Sequence, residues 1–171
     1  TYDGYAMHGY QFWVLRGTLN LSLGEGYSST TTLKRDIVNT GTNPLMHVFR
    51  VSSKTTGGAN CKLTIKGNAE HHFVVDGAAN FSIKPKDGWF VTETGEGHLT
   101  SRGALLAMYG NVNYHGGTAE LKYVDLINNW NNYIASTDPL ESGSGGAVHL
   151  MTGTNSVINL TMTHCKIENC Y

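Results

Sequence analysis

Two stretches in the second half of the chain decide the expected fold. Residues 103–110 read Gly-Ala-Leu-Leu-Ala-Met-Tyr-Gly, and residues 146–153 read Gly-Ala-Val-His-Leu-Met-Thr-Gly. The segments that follow them, 119–129 and 158–169, also resemble each other. This is a degenerate internal repeat. Because stacked repeats bury a face that one repeat cannot bury alone, the match predicts a solenoid, with Leu105 aligned to Val148.

Short strands that end at Gly or Asn recur along the chain. Apolar residues are spaced at i, i+2 in 63–65, 73–75 and 81–83, which is the period that places both side chains on one face of a strand. A hairpin meander and successive sides of one coil both remain open for these three strands. In a coil we expect seven inward residues, namely Leu63, Ile65, Phe73, Val75, Leu160, Met162 and Ile167. At the corners we expect Gly and three asparagines, namely Asn128, Asn129 and Asn169.

Composition limits the function classes. The chain has 171 residues, a formal net charge of −1 and 15% charged residues, so it has no basic footprint for nucleic acid. No apolar run approaches the ~20 residues that a bilayer-spanning helix needs. The 21 glycines and 3 prolines favour many short strands joined by tight turns.

The end of the chain carries a family resemblance. Gly145-Gly146-Ala147-Val148, then 157–162, then Cys165-Lys166-Ile167-Glu168-Asn169 resembles a coil of bacterial surface β-helix proteins, the polymorphic outer-membrane proteins and Gram-positive adhesins. The resemblance implies an all-β, right-handed parallel β-helix of the pectin-lyase-like type. It also implies an extracellular or cell-surface module that displays or binds a ligand, such as a glycan or a host surface ligand, without catalysis.

The expected domain organisation is simple. We expect residues 1–30 to form an N-terminal cap or first strands, and residues 31–171 to form the coils of one domain. The starting Thr1-Tyr2-Asp3 and the end directly after a strand pattern indicate a segment of a longer protein, with further coils of the parent chain as its neighbours.

Two alternative functions stay open. A fragment of a polysaccharide lyase or glycoside hydrolase would need clustered carboxylates, but the acids Asp76, Asp87 and Asp125 are scattered one at a time. A phage tail-spike shaft would assemble as a trimer. No catalytic residue, cofactor or metal is predicted. A zinc ion with two ligands drawn from His71, His98 or His115 is the alternative to structural histidines.

The aromatic residues indicate a ligand-binding flank. Flat rings stack on sugar C–H groups and neighbouring amides hydrogen-bond to hydroxyls. We therefore predict a binding surface at Trp89, Tyr109, Trp130, Tyr133, Asn131 and Asn132. The alternative is that these rings pack beneath a long loop. The aromatic residues near the start of the chain, Trp13 among them, are expected to be buried in the N-terminal cap.

The three cysteines are expected to pack as small apolar side chains. A disulfide between Cys165 and Cys170 is the alternative.

Overall fold

The computed structural model describes residues 8–23, 29–36, 45–54, 61–80, 104–110, 114–129 and 146–170. This part of the chain is all-β. Its strands are β1 (His8–Val14), β2 (Gly17–Ser22), β3 (Thr31–Asp36), β4 (Leu45–Val51), β5 (Cys61–Lys66), β6 (Phe73–Asn80), β7 (Leu106–Tyr109), β8 (Gly116–Lys122), β9 (Val124–Asn129), β10 (Val148–Met151), β11 (Val157–Thr163) and β12 (Lys166–Cys170).

The strands form three sheets in a regular order. Sheet A is β1-β4-β7-β10, sheet B is β2-β5-β8-β11 and sheet C is β3-β6-β9-β12. Every strand therefore pairs with the strand three places away along the chain, and all these pairings are parallel. We call each set of three consecutive strands a triplet. The hairpin meander considered for 63–65 and 73–75 is wrong, because β5 and β6 lie in different sheets.

Alternation along each strand places apolar residues in rows on the inner face. Leu63, Ile65 and Val75 are at most 1% exposed, and each such burial contributes ~1.5–3 kcal/mol to folding. Phe12 and Phe49, which pair in register, stack with their ring centroids 5.2 Å apart. Phe73 is also buried, as predicted.

The fourth triplet, like the first, is less covered than the two triplets between them. Leu160 and Met162 are partly buried against the core, whereas Ile167 is 53% exposed although it pairs with the buried Leu126. Within the described residues, β10, β11 and β12 each have a strand neighbour on one side only. Their apolar side chains are therefore partly buried where the middle triplets are fully buried.

The pairing between triplets corrects two sequence predictions. Val148 pairs with Leu106, not with Leu105, and Leu160 pairs with Ala119. The sequence pattern also predicts that the strands at 63–65, 104–107 and 148–150 run parallel and stack on one another. This is wrong for 63–65, which lies in sheet B, whereas β7 and β10 pair in sheet A.

The first two strands lie within the segment expected to be a cap or first strands. β1 pairs with β4 and β2 pairs with β5, so both belong to the same sheets as the later triplets.

Several residues at the corners between strands have the left-handed backbone conformation. Asn128 and Asn169 have φ of 56° and 51°, as expected for corner asparagines, and the Asn169 Nδ2 donates to the Asn128 Oδ1 at 3.2 Å. Asn128 in turn donates to Asp76 Oδ1 at 3.1 Å, which forms a ladder across three triplets. Asn129 differs, because its Nδ2 donates to the Gly146 carbonyl. Gly116, at φ 77°, leaves no room for a Cβ beside Val157.

Candidate functional site

The candidate site is a group of aromatic and cationic side chains where sheet A ends and the chain turns towards sheet B. Trp13 and Arg50 lie next to each other in register near the ends of β1 and β4. Both project from the outer face, because their neighbours in sequence fill the inner rows. We define the corner cluster as Trp13, Arg50, Lys54, Tyr109 and Tyr114.

Backbone hydrogen bonds bring Tyr114 to this place. The Ser53 N–H donates to the Gly116 carbonyl at 2.8 Å, and the His115 N–H donates to the Ser53 carbonyl at 2.8 Å. These two bonds clamp the segment before β8 against the segment after β4. Tyr114 therefore lies beside Arg50 although the two residues are far apart in sequence.

Arg50 is the centre of the cluster. Its guanidinium carbon lies 4.4 Å from the ring centroid of Tyr114, 4.8 Å from that of Trp13 and 5.2 Å from that of Tyr109. Its Nε donates to Ser52 Oγ at 2.9 Å, and the residue is 6% exposed. Cation–π contacts strengthen when they are desolvated, to ~2 kcal/mol or more. Arg50 therefore fixes the three rings around it.

The solvent side of the cluster consists of Trp13, Tyr114 and Lys54. The two rings are half-buried and meet edge to face, with centroids 6.1 Å apart and planes at 66°. The Trp13 Nε1 donates to Ser52 Oγ at 2.9 Å, which holds the indole in place. Lys54 is exposed, and its Nζ lies 5.9 Å from both ring centroids. This side offers two rigid ring surfaces and one movable cation.

The interior side of the cluster is polar but buried. His47 is 1% exposed and accepts a hydrogen bond at Nδ1 from the Ala104 N–H at 3.0 Å. A ring nitrogen that accepts carries no proton, so the neutral ring has its proton on Nε2. That proton is donated to the Tyr109 hydroxyl oxygen at 2.5 Å. The Tyr109 ring also lies 5.4 Å from the His149 ring.

One of the six predicted site residues, Tyr109, lies in the described part of the chain. It is 3% exposed, so its ring lies among His47, Arg50 and His149 and presents little surface to solvent. The other five, Trp89, Trp130, Asn131, Asn132 and Tyr133, lie outside the described residues. The predicted flank therefore stays a prediction.

Four of the described acids have structural partners on sheets B and C and their corners. Lys62 Nζ lies 2.9 Å from Glu120 Oε2, and this lysine lowers the pKa of the glutamate through a hydrogen bond and its charge. Lys166 Nζ lies 2.5 Å from Glu168, which raises the pKa of the lysine. Two of these acids were singled out from the sequence. Asp76 accepts a hydrogen bond from Asn128, and Asp125 Oδ1 lies 2.7 Å from His72 Nδ1. Asp87 lies outside the described residues.

Histidines occupy several different places. His72 lies at the corner between sheets B and C, where its ring is 5.7 Å from Tyr123, which stacks on His164 at 4.8 Å. His115 lies before β8 and points its Nδ1 at the Asn155 carbonyl, 3.3 Å away. The described residues hold no group of three His, Cys, Asp or Glu side chains that could bind a metal ion. His98 lies outside the described part.

The cysteines are thiols. Cys61 is 1% exposed and donates to the Val14 carbonyl at 2.7 Å, and burial raises the pKa of this thiol to about 11. Cys165 and Cys170 are not joined, so the disulfide considered between them is wrong. Each lies within 3.6 Å of a carbonyl of the neighbouring triplet, Leu121 and Leu126 respectively.

Sequence reasoning missed Arg50, Lys54 and Tyr114, and assigned Trp13 to a buried cap. The available signal was weak. Arg50 and Trp13 each follow an aromatic residue that points inward, Phe49 and Phe12, which places both on the outer face. Only the register of β1 with β4 brings them together.

The described part of the chain includes no helix with the length and apolar character needed to cross a membrane. Comparisons of this chain with protein-family models, with curated proteins and with solved structures found no match.

Proposed function

We propose that this chain is a right-handed parallel β-helix module of an extracellular surface protein, of the adhesin type, and that it binds a carbohydrate without cleaving it. The proposal for the fold is supported by the repeated order of the three parallel sheets. Right-handed connections are favoured because parallel strands joined by a crossover have this hand in about 98% of cases.

The corner cluster is the observation that supports carbohydrate binding most directly. Trp13 and Tyr114 are half-buried rings whose positions are fixed by Arg50, Ser52 and the Ser53 backbone. Sugars bind to such rings through their C–H faces, and rigid rings lose little side-chain entropy on binding. The exposed Lys54 adds a hydrogen-bond donor beside both rings.

The acids of the described residues support a binding role rather than a hydrolytic one. A glycosidase needs two carboxyl groups on either side of one bond, with one of them free to lose or gain a proton. Glu120, Glu168, Asp125 and Asp76 each contact a different partner on sheets B and C. None of these four belongs to the corner cluster.

The test is a glycan array probed with the purified chain, followed by analysis of the bound glycans for cleavage. We expect binding to a defined class of glycan with no product. Tyr114→Leu should weaken binding at least tenfold, whereas Tyr123→Leu, which removes a half-buried ring at another corner, should leave it unchanged. Circular dichroism and thermal unfolding confirm that each variant is folded.

Two results would contradict the proposed function, and a third would contradict its assignment to the corner cluster. Cleavage products would indicate the carbohydrate-active enzyme considered from sequence, and a stable trimer in sedimentation without glycan binding would indicate a structural shaft. Loss of binding in Trp130→Ala but not in Tyr114→Leu would keep the function and move the site to the flank predicted from Trp89, Trp130 and Tyr133.

A further inference from the structure

We propose that copies of this chain associate head to tail, so that the fourth triplet of one copy (β10, β11 and β12) stacks on the first triplet of the next (β1, β2 and β3). The parallel pairing that joins the triplets within one copy then continues from copy to copy. The inference goes beyond the proposed function, because it concerns the ends of the stack and needs no glycan.

The edge strands of sheet B lack the features that commonly prevent association. Within the described residues, β2 pairs with β5 alone and β11 pairs with β8 alone. Their sequences, Gly-Thr-Leu-Asn-Leu-Ser and Val-Ile-Asn-Leu-Thr-Met-Thr, contain no charged residue and no proline. Proteins often protect a free edge with a lysine, a proline or a bulge. An uncharged edge at each end of the same sheet therefore favours pairing with another chain.

The apolar rows of the inner face reach both ends of the stack. In sheet B one row runs in register through all four triplets: Leu19, Leu63, Ala119 and Leu160. Its two end members are partly buried, whereas the two between them are fully buried. In sheet C the row from Leu33 ends at Ile167, which is 53% exposed. A second copy in the same register covers Leu160 with Leu19 and Ile167 with Leu33, and this burial of apolar surface drives association.

Charge is complementary between the two ends of sheet C. Lys34 and Glu168 are exposed members of one row, in which Lys34 pairs with Asp76 and Glu168 pairs with Ile127. In a continued register, Lys34 of one copy lies one strand spacing, ~4.8 Å, from Glu168 of the other. Within one copy they are three spacings apart, about 14 Å, so they do not pair there. Opposite charges that meet only between copies favour this contact and fix its register.

The same charges specify the direction of association. Two fourth triplets would meet about a two-fold axis, which makes the strands at their contact antiparallel and leaves Lys34 outside it. All strand pairs between the triplets of one copy are parallel, and head-to-tail contact keeps this pattern. Such a contact uses a different surface on each copy and adds copies in a row without closing. We therefore expect a series of oligomers in place of one dimer or trimer.

Sedimentation velocity of the whole chain over a concentration series tests association. We expect the average sedimentation coefficient to rise with concentration, without a plateau at a dimer or a trimer. Ile167→Lys should lower the association constant by about tenfold or more, because it places a charge in an apolar row that association buries. Ala69→Lys is the matched control, since it adds the same charge at an exposed corner of the second triplet. It should leave association unchanged, and thermal unfolding confirms that both variants are folded.

Cross-linking of the unmodified chain tests the direction. A carbodiimide joins a lysine amine to a carboxyl group in direct contact. In a mixture of unlabelled chains and chains labelled with heavy nitrogen, mass spectrometry distinguishes links between copies from links within one copy. We expect links between copies from Lys34 to Glu168, whereas Lys166 should link to Glu168 within one copy only. Lys34→Gln should remove the links between copies.

Four results would overturn the proposal. A constant sedimentation coefficient would show that the ends do not associate, and a closed dimer or trimer would show a different interface. Equal association of Ile167→Lys and the unmodified chain would place the contact away from the fourth triplet. Links between copies from Lys166 to Glu168 would show that two fourth triplets meet. Each of these results leaves glycan binding at the corner cluster untouched, so the two proposals fail separately.

Discussion

The outer faces of sheets A and B differ although both sheets consist of four parallel strands. On sheet A the outward side chains Arg50 and Tyr109 are 6% and 3% exposed, and His47, which bonds to Tyr109, is 1% exposed. On sheet B the outward side chains of Lys62 and Glu120 are 39% and 43% exposed, although Thr64 between Lys62 and Lys66 is buried. A polar group that is removed from water must find its hydrogen bonds inside the protein. Sheet A therefore carries a fixed polar arrangement on its outer face, whereas the charged side chains on the outer face of sheet B are solvated.

Arg50 should show the largest effect of this difference. In Arg50→Ala we expect the free energy of unfolding to fall by about 3 kcal/mol, because three ring contacts and the bond to Ser52 are lost from a buried position. Urea unfolding measures this loss in the free energy of unfolding. The control is Lys66→Ala on the outer face of sheet B, which should change stability by less than ~0.5 kcal/mol. Similar small losses in both variants would show that the two faces do not differ energetically.

The same difference explains how far the sequence predicted the fold. Along the strands of sheets B and C, buried apolar residues largely alternate with polar residues. This alternation predicts Leu63, Ile65 and Val75 as inward residues, and all three are buried. In β7, four consecutive residues are buried, and Leu105 before it is buried as well. Without alternation, hydrophobicity does not fix the register, and the repeat aligned Leu105 with Val148 in place of Leu106.

The corner cluster depends on that register, which is why the sequence did not predict it. Trp13 and Arg50 are adjacent only because β1 and β4 pair in one particular alignment, and Tyr114 joins them only through the Ser53 backbone bonds. Tyr109 was recognised as an aromatic of interest. Its burial against His47 follows from the packing of sheet A and has no local sequence signal.

Tyr109→Phe should show the next largest effect. The substitution keeps the ring and removes the oxygen that accepts the proton of His47 Nε2 in a buried place, which costs ~1–2 kcal/mol. Urea unfolding again gives the value. Tyr123→Phe, at a half-buried corner between sheets B and C, should cost less than ~0.5 kcal/mol. Equal costs would mean that the hydroxyl of Tyr109 is not needed to satisfy His47.

Cys61 extends the comparison to the inner face. Since burial raises the pKa of its thiol to about 11, the folded state holds the proton more tightly than the unfolded state, whose thiol titrates near 9. Its contribution to stability is therefore complete below pH 9 and is lost as pH rises from 9 to 11. Cys61→Ala should flatten the fall in stability over this range. Thiol labelling at pH 8 should modify Cys165 and Cys170 before Cys61, and early labelling of Cys61 would contradict its burial.

The pair Lys62–Glu120 should show the smallest effect, because it lies on the solvated face. Lys62 holds the pKa of Glu120 below its ordinary value, so the pair is complete above pH 4.5 and is lost as pH falls through the lowered pKa. In Lys62→Met, an NMR titration of the Glu120 carboxyl should show its pKa move back up. The unfolding midpoint at pH 7 should not change measurably, since water replaces the lysine as a partner. A clear loss of stability in this variant would show that the outer face of sheet B is also held by its polar contacts, and the contrast with Arg50 would then fail.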